Sequence, residues 1–230
     1  MSALKKALNY FSRFELILWG SSVTLIILSY LLFRNGGYLT LAASLVGATS
    51  LIFCAKGNPI GQVLMVIFGI LYGIISLSFC YYGEMITYLG MTVPMAVVAL
   101  VSWLRNPYGK GHSQVKVNSI AKKEILFLIG LTALVTLLFY FILPRLGTSN
   151  IIPSTASVAT SFFAVYLTAR RCPYFALAYA ANDVVLIVLW VLASLHDVSY
   201  ISVAVCFVMF LFNDLYGFIN WRRMQKRQAE

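Results

Sequence analysis

Charged residues are scarce in this chain of 230 amino acids, and acidic ones are the scarcest. Asp and Glu number 7 against 17 Lys and Arg, and charged residues make up 10% of the sequence while hydrophobic residues make up 61%. A typical soluble domain carries about 25% charged residues. The composition therefore excludes an ordinary soluble globular protein, and the mean hydropathy of +0.87 points the same way.

The sequence also lacks the motifs of most enzymes and metalloproteins. It has two histidines, which fall in different loops, and its four cysteines form no CxxC pair: Cys54, Cys80, Cys172 and Cys206. This predicts neither a disulfide framework nor a metal site. The segment Gly109-Lys110-Gly111 lacks the leading glycine and the hydroxyl of a P-loop, and no HExxH occurs. We therefore expect no cofactor and no catalytic residue.

What the chain does have is eight long apolar runs. We place them at residues 16–34, 37–55, 60–80, 84–104, 124–144, 151–169, 174–194 and 199–220. Each is close to the ~20 residues that cross a ~30 Å hydrocarbon core. Because only a helix satisfies its own backbone there, the pattern predicts an all-α polytopic membrane protein with eight transmembrane helices.

The basic residues give these spans an orientation. With a cytoplasmic N-terminus, every Lys and Arg except Arg34 and Arg145 falls in a cytoplasmic segment. By the positive-inside rule, both termini are expected in the cytoplasm of a bacterial plasma membrane. The net charge of +10 is scattered through short loops and the tail, which favours anionic lipid over nucleic acid as a partner. Because Arg34-Asn35-Gly36-Gly37 offers no cleavage site, the first span should be retained.

A polar stretch from Asn106 to Lys123 separates two halves with matching landmarks. Thr49-Ser50 and Ser102-Trp103 in the first half correspond to Thr160-Ser161 and Asn220-Trp221 in the second. Three spans reverse the chain direction and one linking span restores it, so two parallel three-helix repeats are expected. We divide the chain into an N-terminal segment with the first helix (1–36), a first repeat (37–105), a cytoplasmic loop with the linking helix (106–150), and a second repeat with a basic tail (151–230).

Such parallel repeats are a known transporter design, with the substrate site near the midplane between the halves. Polar residues support a site there, because the last two spans hold Asn182-Asp183 and Asn213-Asp214. A carboxylate at the bilayer centre costs about 2.5 to 3.5 kcal/mol. The alternative is that these groups only join packed helices. Helical spacing extends the polar faces to Tyr216 and Asn220 in the last span and to Trp190 in the seventh.

Amides, a phenol and an indole around a cavity suit a flat heterocycle that stacks and forms hydrogen bonds. Tyr72, Tyr88 and Glu84 in the first half are candidates for the same cavity; their alternative is an interfacial aromatic belt with a carboxylate at the headgroups. Two intramembrane aspartates also admit an aspartyl protease, but both acids follow Asn, outside a GxGD context. The acids leave proton coupling open.

The second half resembles a known family. Ala181-Asn182-Asp183, the run to Trp190, and the segment from Asn213 to Trp221 (NDLYGFINW) are similar to the PnuC family of bacterial nicotinamide riboside transporters, as are Tyr72-Gly73 and Tyr82-Gly83-Glu84-Met85. The resemblance covers about residues 37 to 225. It implies a SWEET-like 3+1+3 fold, a homotrimer, and facilitated diffusion of a vitamin precursor that a cytoplasmic kinase then traps.

The resemblance also implies roles for particular residues. Asn182 and Asn213 match substrate-binding amides of the family, and Asn220 matches the amide near the end of the last span. The chain departs from the family at two places. Where many members carry a WxxWxxxN pattern that ends at the first of these asparagines, this chain has Phe175 and Ala178 in place of the tryptophans, with Tyr179 nearby. In the first half, Phe68 occupies a position where an asparagine is common. We expect a passive carrier of nicotinamide riboside; related proteins carry thiamine, riboflavin or deoxyribonucleosides.

Overall fold

The computed structural model describes residues 10–33, 37–78, 81–109, 113–148 and 150–230. Its regular elements in these ranges are all helical, and eight of them are long and apolar enough to cross a membrane. They are α1 (Arg13–Phe33), α2 (Tyr38–Ala55), α3 (Ile60–Ser78), α4 (Tyr82–Leu104), α5 (Lys122–Ile142), α6 (Ile151–Ala169), α7 (Tyr174–Ser194) and α8 (Ile201–Ala229). The predicted fold class of eight transmembrane helices is confirmed.

The helix ends differ from the predicted spans at a few places. Helix α4 contains a π-helical segment, Thr87–Thr92, between two α-helical parts. Helix α8 continues past the predicted end at residue 220 to Ala229, so the basic tail is helical. The added residues are mostly Arg, Lys, Gln and Met, which have high helix propensity, so the helix can extend beyond the apolar layer.

Several residues used in the sequence argument lie outside the described residues. They are Lys5, Lys6, Arg34, Asn35, Gly36, Cys80, Lys110, Gly111 and His112.

Six of the helices form a closed ring. Helix α2 packs against α3 and α8, α3 against α4, α4 against α6, α6 against α7, and α7 against α8. The helices α2–α4 and α6–α8 thus pack consecutively as two groups of three. Helix α1 lies outside the ring against α2 and α8, and α5 lies outside it against α6. Few side chains of α1 and α5 are buried, as expected for helices that face lipid.

Two tryptophans join the halves of the ring by equivalent hydrogen bonds. The indole of Trp103, near the end of α4, donates to the carbonyl of Thr168 in α6 at 3.0 Å. The indole of Trp221, in α8, donates to the carbonyl of Cys54 in α2 at 2.8 Å. Both indoles are fully buried, and their ring centroids lie 5.3 Å apart. Each half therefore closes on the first helix of the other half in the same way.

The residues just before these tryptophans repeat the pattern. The Ser102 hydroxyl donates to the Ala169 carbonyl at 2.8 Å, and the Asn220 amide donates to the Ala55 carbonyl at the same distance. Carbonyls in the last turn of a helix have no partner within the helix. These four bonds, which we call the four-bond lock, supply partners for the ends of α2 and α6 and hold one end of the ring closed.

The polar linker between α4 and α5 covers the same end, which we call the basic end. Val115 is fully buried; its N–H donates to the Gly57 carbonyl at 2.9 Å and its carbonyl accepts from the Gln228 amide at 3.1 Å. The N–H of Asn118 donates to the carbonyl of Arg171 at 3.0 Å. The linker is therefore bonded to both halves of the ring.

The lock gives a prediction about stability. Replacing Trp103 or Trp221 by Phe keeps an aromatic ring but removes a buried hydrogen bond between the halves, which contributes about 0.5–1.5 kcal/mol net. Each variant should therefore unfold at a clearly lower temperature in detergent. The matched control is Trp19→Phe, since the Trp19 indole donates to Thr49 on the exposed outer surface. Equal unfolding temperatures for all three variants would show that the lock contributes nothing.

Candidate functional site

An aromatic cluster fills the centre of the ring. The Trp190 indole in α7 donates to the Tyr72 hydroxyl in α3 at 2.7 Å. The Tyr72 ring lies 4.4 Å from that of Tyr88 in α4 and 5.6 Å from that of Phe207 in α8, measured between centroids. Phe68 packs against Tyr72 at 5.5 Å. All five side chains are buried, and the four helices that carry them include members of both halves.

This cluster is closed. A cavity beside it, lined in part by Phe68, Tyr72 and Phe207, has a volume of about 10 Å³, which is about the space that one water requires. A substrate can stack here only after the helices separate. The aromatic side chains predicted for the site, Tyr72, Tyr88 and Trp190, are therefore brought together in the centre of the ring rather than spread through an interfacial belt.

The first Asn-Asp pair lies nearer the basic end. The Asn182 carbonyl oxygen accepts from the hydroxyls of Thr160 at 2.8 Å and Ser161 at 3.0 Å, both on α6. The carboxyl groups of Asp183 and Asp214 are within hydrogen-bonding reach of each other. These two carboxyl groups place α7 and α8 in contact at the level of the Asn-Asp pairs.

The two residues of the second Asn-Asp pair contact different helices: Asn213 contacts α1, and Asp214 contacts α7. The Asn213 amide nitrogen donates to the Ser22 hydroxyl of α1 at 2.9 Å and to the Met209 carbonyl at 2.7 Å. The Asn213 carbonyl oxygen is buried and has no hydrogen-bond partner among the described residues, and the same holds for one carboxyl oxygen of Asp183. Two buried acceptors at the level of the Asn-Asp pairs therefore lack a partner among the described residues.

Glu84 lies in the first turn of α4 and is fully buried among the helices. Neither carboxyl oxygen has a hydrogen bond within the part of the chain that the structure describes, although Ser157 of α6 lies close by. The hydroxyls of Ser157 and Thr87 are also buried without partners in the same part of the chain. This group lies between α4 and α6, away from the Asn-Asp pairs.

The remaining predicted residues lie toward the basic end. The Tyr216 hydroxyl donates to Glu15 of α1 at 2.8 Å, and Glu15 pairs with Lys56 at 3.1 Å. Asn220 belongs to the four-bond lock. Tyr179 is half-buried and packs edge-on against Phe175, with centroids 6.3 Å apart. The predicted stripe from Asn213 to Asn220 thus faces α1 and α2.

The chain can be compared with known proteins at this point. The family model described as nicotinamide mononucleotide transporter matches residues 37–223, which span the whole six-helix ring and the linking helix.

The chain belongs to this family.

One curated member and one solved structure are similar to the chain. The nicotinamide riboside transporter PnuC of Neisseria mucosa is 26% identical over 203 residues, which cover 86% of this chain and 76% of the relative. The crystal structure described as the vitamin B3 transporter PnuC has a TM-score of 0.83 at 22% identity, covering 95% of this chain and 94% of the other. The second comparison shows that the fold is shared. Membership of a transporter family agrees with the prediction that the chain is not an enzyme.

Several residues that build the site were not found from the sequence. Glu15 and Lys56 pair across a gap of 41 positions, and Ser22 reaches Asn213 across 191. The periodic patterns within one span do not predict contacts between residues so far apart in the sequence. One signal did exist, because Glu15 is one of only 7 acidic residues and stands next to an apolar span. A buried carboxylate of this kind requires a cationic partner.

Proposed function

We propose that this protein is a passive carrier that moves nicotinamide riboside, or a similar nucleoside-like vitamin precursor, across the bacterial plasma membrane. The observation that carries the proposal is family membership over the whole ring, together with a relative named as a nicotinamide riboside transporter. A cytoplasmic kinase would trap the substrate by phosphorylation. The alternatives are another heterocycle, such as a deoxyribonucleoside, thiamine or riboflavin, proton-coupled transport, and an intramembrane enzyme.

The chemistry of the ring supports the riboside over its phosphorylated form. Nicotinamide riboside carries a pyridinium cation, a carboxamide and ribose hydroxyls. Inside the ring, the buried carboxyl groups of the described residues are those of Glu84, Asp183 and Asp214, while the described Lys and Arg residues lie in connecting segments, in the first turn of a helix or in the last turns of α8. A pyridinium ring gains from aromatic faces and nearby carboxylates. A phosphate dianion would be left there without a cationic partner.

Each part of the site has a role in this proposal. Trp190, Tyr72 and Tyr88 would stack on the pyridinium ring once the cluster opens. The unpaired oxygens of Asn213 and Asp183 would accept hydrogen bonds from ribose hydroxyls or the carboxamide. Asn182, Tyr216 and Asn220 would support these contacts through the hydrogen bonds described above. Asp214 would do so from its position beside Asp183, Tyr179 through its packing against Phe175, and Glu84 through its buried carboxyl group. The arrangement is compatible with a SWEET-like pair of parallel three-helix repeats, α2–α4 and α6–α8, that rock against each other.

The two ends of the ring provide the alternating gates. The four-bond lock and the linker hold the basic end closed in this structure. A change of access at this end must break these bonds while the halves separate. We further propose a homotrimer of independent protomers, as the family resemblance implies, in which α1 and α5 lie outside the transport ring and are available for contacts between copies.

Both termini are proposed to lie in the cytoplasm, because the basic end collects nearly all cationic side chains. A cysteine at exposed Ser113 in the linker should then react with an impermeant reagent only from the cytoplasm, and one at exposed Leu195 in the turn before α8 only from outside. Labelling in intact cells and in inverted vesicles checks this. Reaction of Ser113→Cys in intact cells would overturn the orientation.

Transport is tested with purified protein in liposomes. Uptake of labelled nicotinamide riboside should level off when the inside and outside concentrations match, because the described residues contain no ATP-binding motif and the proposed mechanism is passive. Encapsulated nicotinamide riboside kinase with ATP should raise the total accumulation. Chromatography of the contents provides the control for enzymatic activity. Accumulation driven by a proton gradient alone, or release of a chemically modified product without kinase, would contradict a passive carrier.

The roles of the Asn-Asp pairs are tested by comparing stability with affinity. Asn213→Leu removes a buried unpaired acceptor but also the amide bonds to Ser22 and Met209. Because these effects oppose each other, the ligand-free protein should unfold near the temperature of the parent. Losing a ligand hydrogen bond worth about 1–3 kcal/mol should weaken the binding of nicotinamide riboside roughly 5- to 150-fold. Thermal unfolding and calorimetry measure the two quantities.

The matched control for Asn213→Leu is Ser22→Ala, which removes the partner of Asn213 on α1 but no proposed ligand contact. This control should lower stability and leave affinity near that of the parent. The variants Asn182→Leu and Thr160→Val form a second pair of the same kind. If Asn213→Leu and Asn182→Leu lose stability but bind the riboside as tightly as the parent, both amides belong to the packing between helices and not to the site.

A further inference from the structure

A polar pocket at the basic end is separate from the aromatic cluster. It has a volume of about 620 Å³, within the range of small-molecule sites. Its lining comes from four parts of the chain: the start of α1, the turn after α2, the linker and the last turns of α8. The lining residues are Ser12, Glu15, Lys56, Gln114, Tyr216, Asn220, Arg223, Lys226 and Arg227.

The only carboxylate in this lining is already fully paired. Glu15 is 2% exposed and accepts from Lys56 at 3.1 and 3.2 Å, from Tyr216 at 2.8 Å and from the N–H of Ser12 at 2.7 Å. Its charge is therefore cancelled by Lys56 within the wall of the pocket. These contacts also fix the shape of the pocket, because they tie α1 to the end of α2 and to α8.

Three cationic side chains remain. Arg223, Lys226 and Arg227 lie three and four positions apart, so they share one face of α8, where like charges repel. Among the described residues the ion pairs are Lys56 with Glu15 and Arg170 with Glu124, and neither involves these three. The pocket is thus lined by three exposed cationic side chains that have no acidic partner among the described residues. Its volume is large enough for a small molecule.

We propose that this pocket binds a phosphate group, either of a soluble phosphate ester or of an anionic lipid headgroup. Guanidinium and ammonium groups form charge-assisted hydrogen bonds with phosphate oxygens, and arginine can bind two of them at once. The Ser12 hydroxyl and the Gln114 amide line the same space and add neutral donors. A phosphate here joins the end of α8 to the start of α1 and to the linker, so it stabilises the closed form of the basic end.

The soluble source is tested with glycerol 3-phosphate at constant ionic strength, with chloride as the reference anion. Purified protein should unfold at a higher temperature as glycerol 3-phosphate is added, with a saturable dependence on its concentration. The lipid source is tested in nanodiscs of phosphatidylcholine with and without phosphatidylglycerol, by counting the anionic lipids that stay bound in native mass spectrometry.

The decisive comparison is between a pocket variant and a control variant that each lose two positive charges. Arg223→Gln with Lys226→Gln removes two cations from the pocket, while Lys122→Gln with Lys123→Gln removes two exposed cations from the start of α5, outside the pocket lining. All four side chains are exposed, so both proteins should fold. The pocket variant should bind the phosphate probe at least about tenfold more weakly than the parent, because it loses charge-assisted bonds. The control should bind it like the parent.

Each outcome has a definite meaning. A response to glycerol 3-phosphate alone identifies a soluble ester as the ligand, a response to phosphatidylglycerol alone identifies a lipid headgroup, and both responses show that the phosphate itself is recognised. The proposal is wrong if neither probe binds the parent protein. It is also wrong if the pocket variant and the α5 control weaken binding equally, since the effect then reflects only net charge.

Discussion

A polar group inside a bilayer has no water to form hydrogen bonds with, and this constraint determines how the polar side chains of the ring are arranged. Each buried donor or acceptor either finds a protein partner or remains unpaired at a cost of about 1–3 kcal/mol. Asn182 finds two hydroxyls on α6, and Trp190 finds the Tyr72 hydroxyl. The exceptions include the carboxyl oxygens of Glu84, one carboxyl oxygen of Asp183 and the amide oxygen of Asn213. Stability alone does not account for unpaired groups of this kind, which is why the proposed site includes these three residues.

The four-bond lock explains why one end of the ring can act as a gate. Its donors are side chains of one half, and its acceptors are the last carbonyls of a helix in the other half, so no helix loses internal bonds when the halves separate. Water reaching the opened end can replace each bond, which keeps the net cost of opening at about 1 kcal/mol per bond. A gate built from such exchangeable bonds can hold one end closed and still open during transport.

The sequence predicted the helices well because hydropathy is a local property. The eight spans follow from residues that lie near each other in the chain, and the correspondence of Ser102-Trp103 with Asn220-Trp221 follows from comparing two such local patterns. The sequence could not predict what each polar side chain faces. Helical spacing placed Tyr216 in line with Asn213, but both face α1, which lies outside the ring. Glu84 is buried against α6 because of the ring closure between α4 and α6, a contact between segments far apart in the sequence.

The centre of the ring and the basic end carry charged side chains of opposite sign, and this difference determines which ligands each region favours. The ring holds carboxyl groups and aromatic faces, which favour a cationic heterocycle and disfavour a phosphate. The basic end holds Arg223, Lys226 and Arg227, which favour a phosphate. Under the proposed trapping, a riboside that is phosphorylated in the cytoplasm becomes a poor ligand for the ring that carried it. In that proposal the charge pattern makes return through the carrier unfavourable, so inward movement needs no energy source within the membrane.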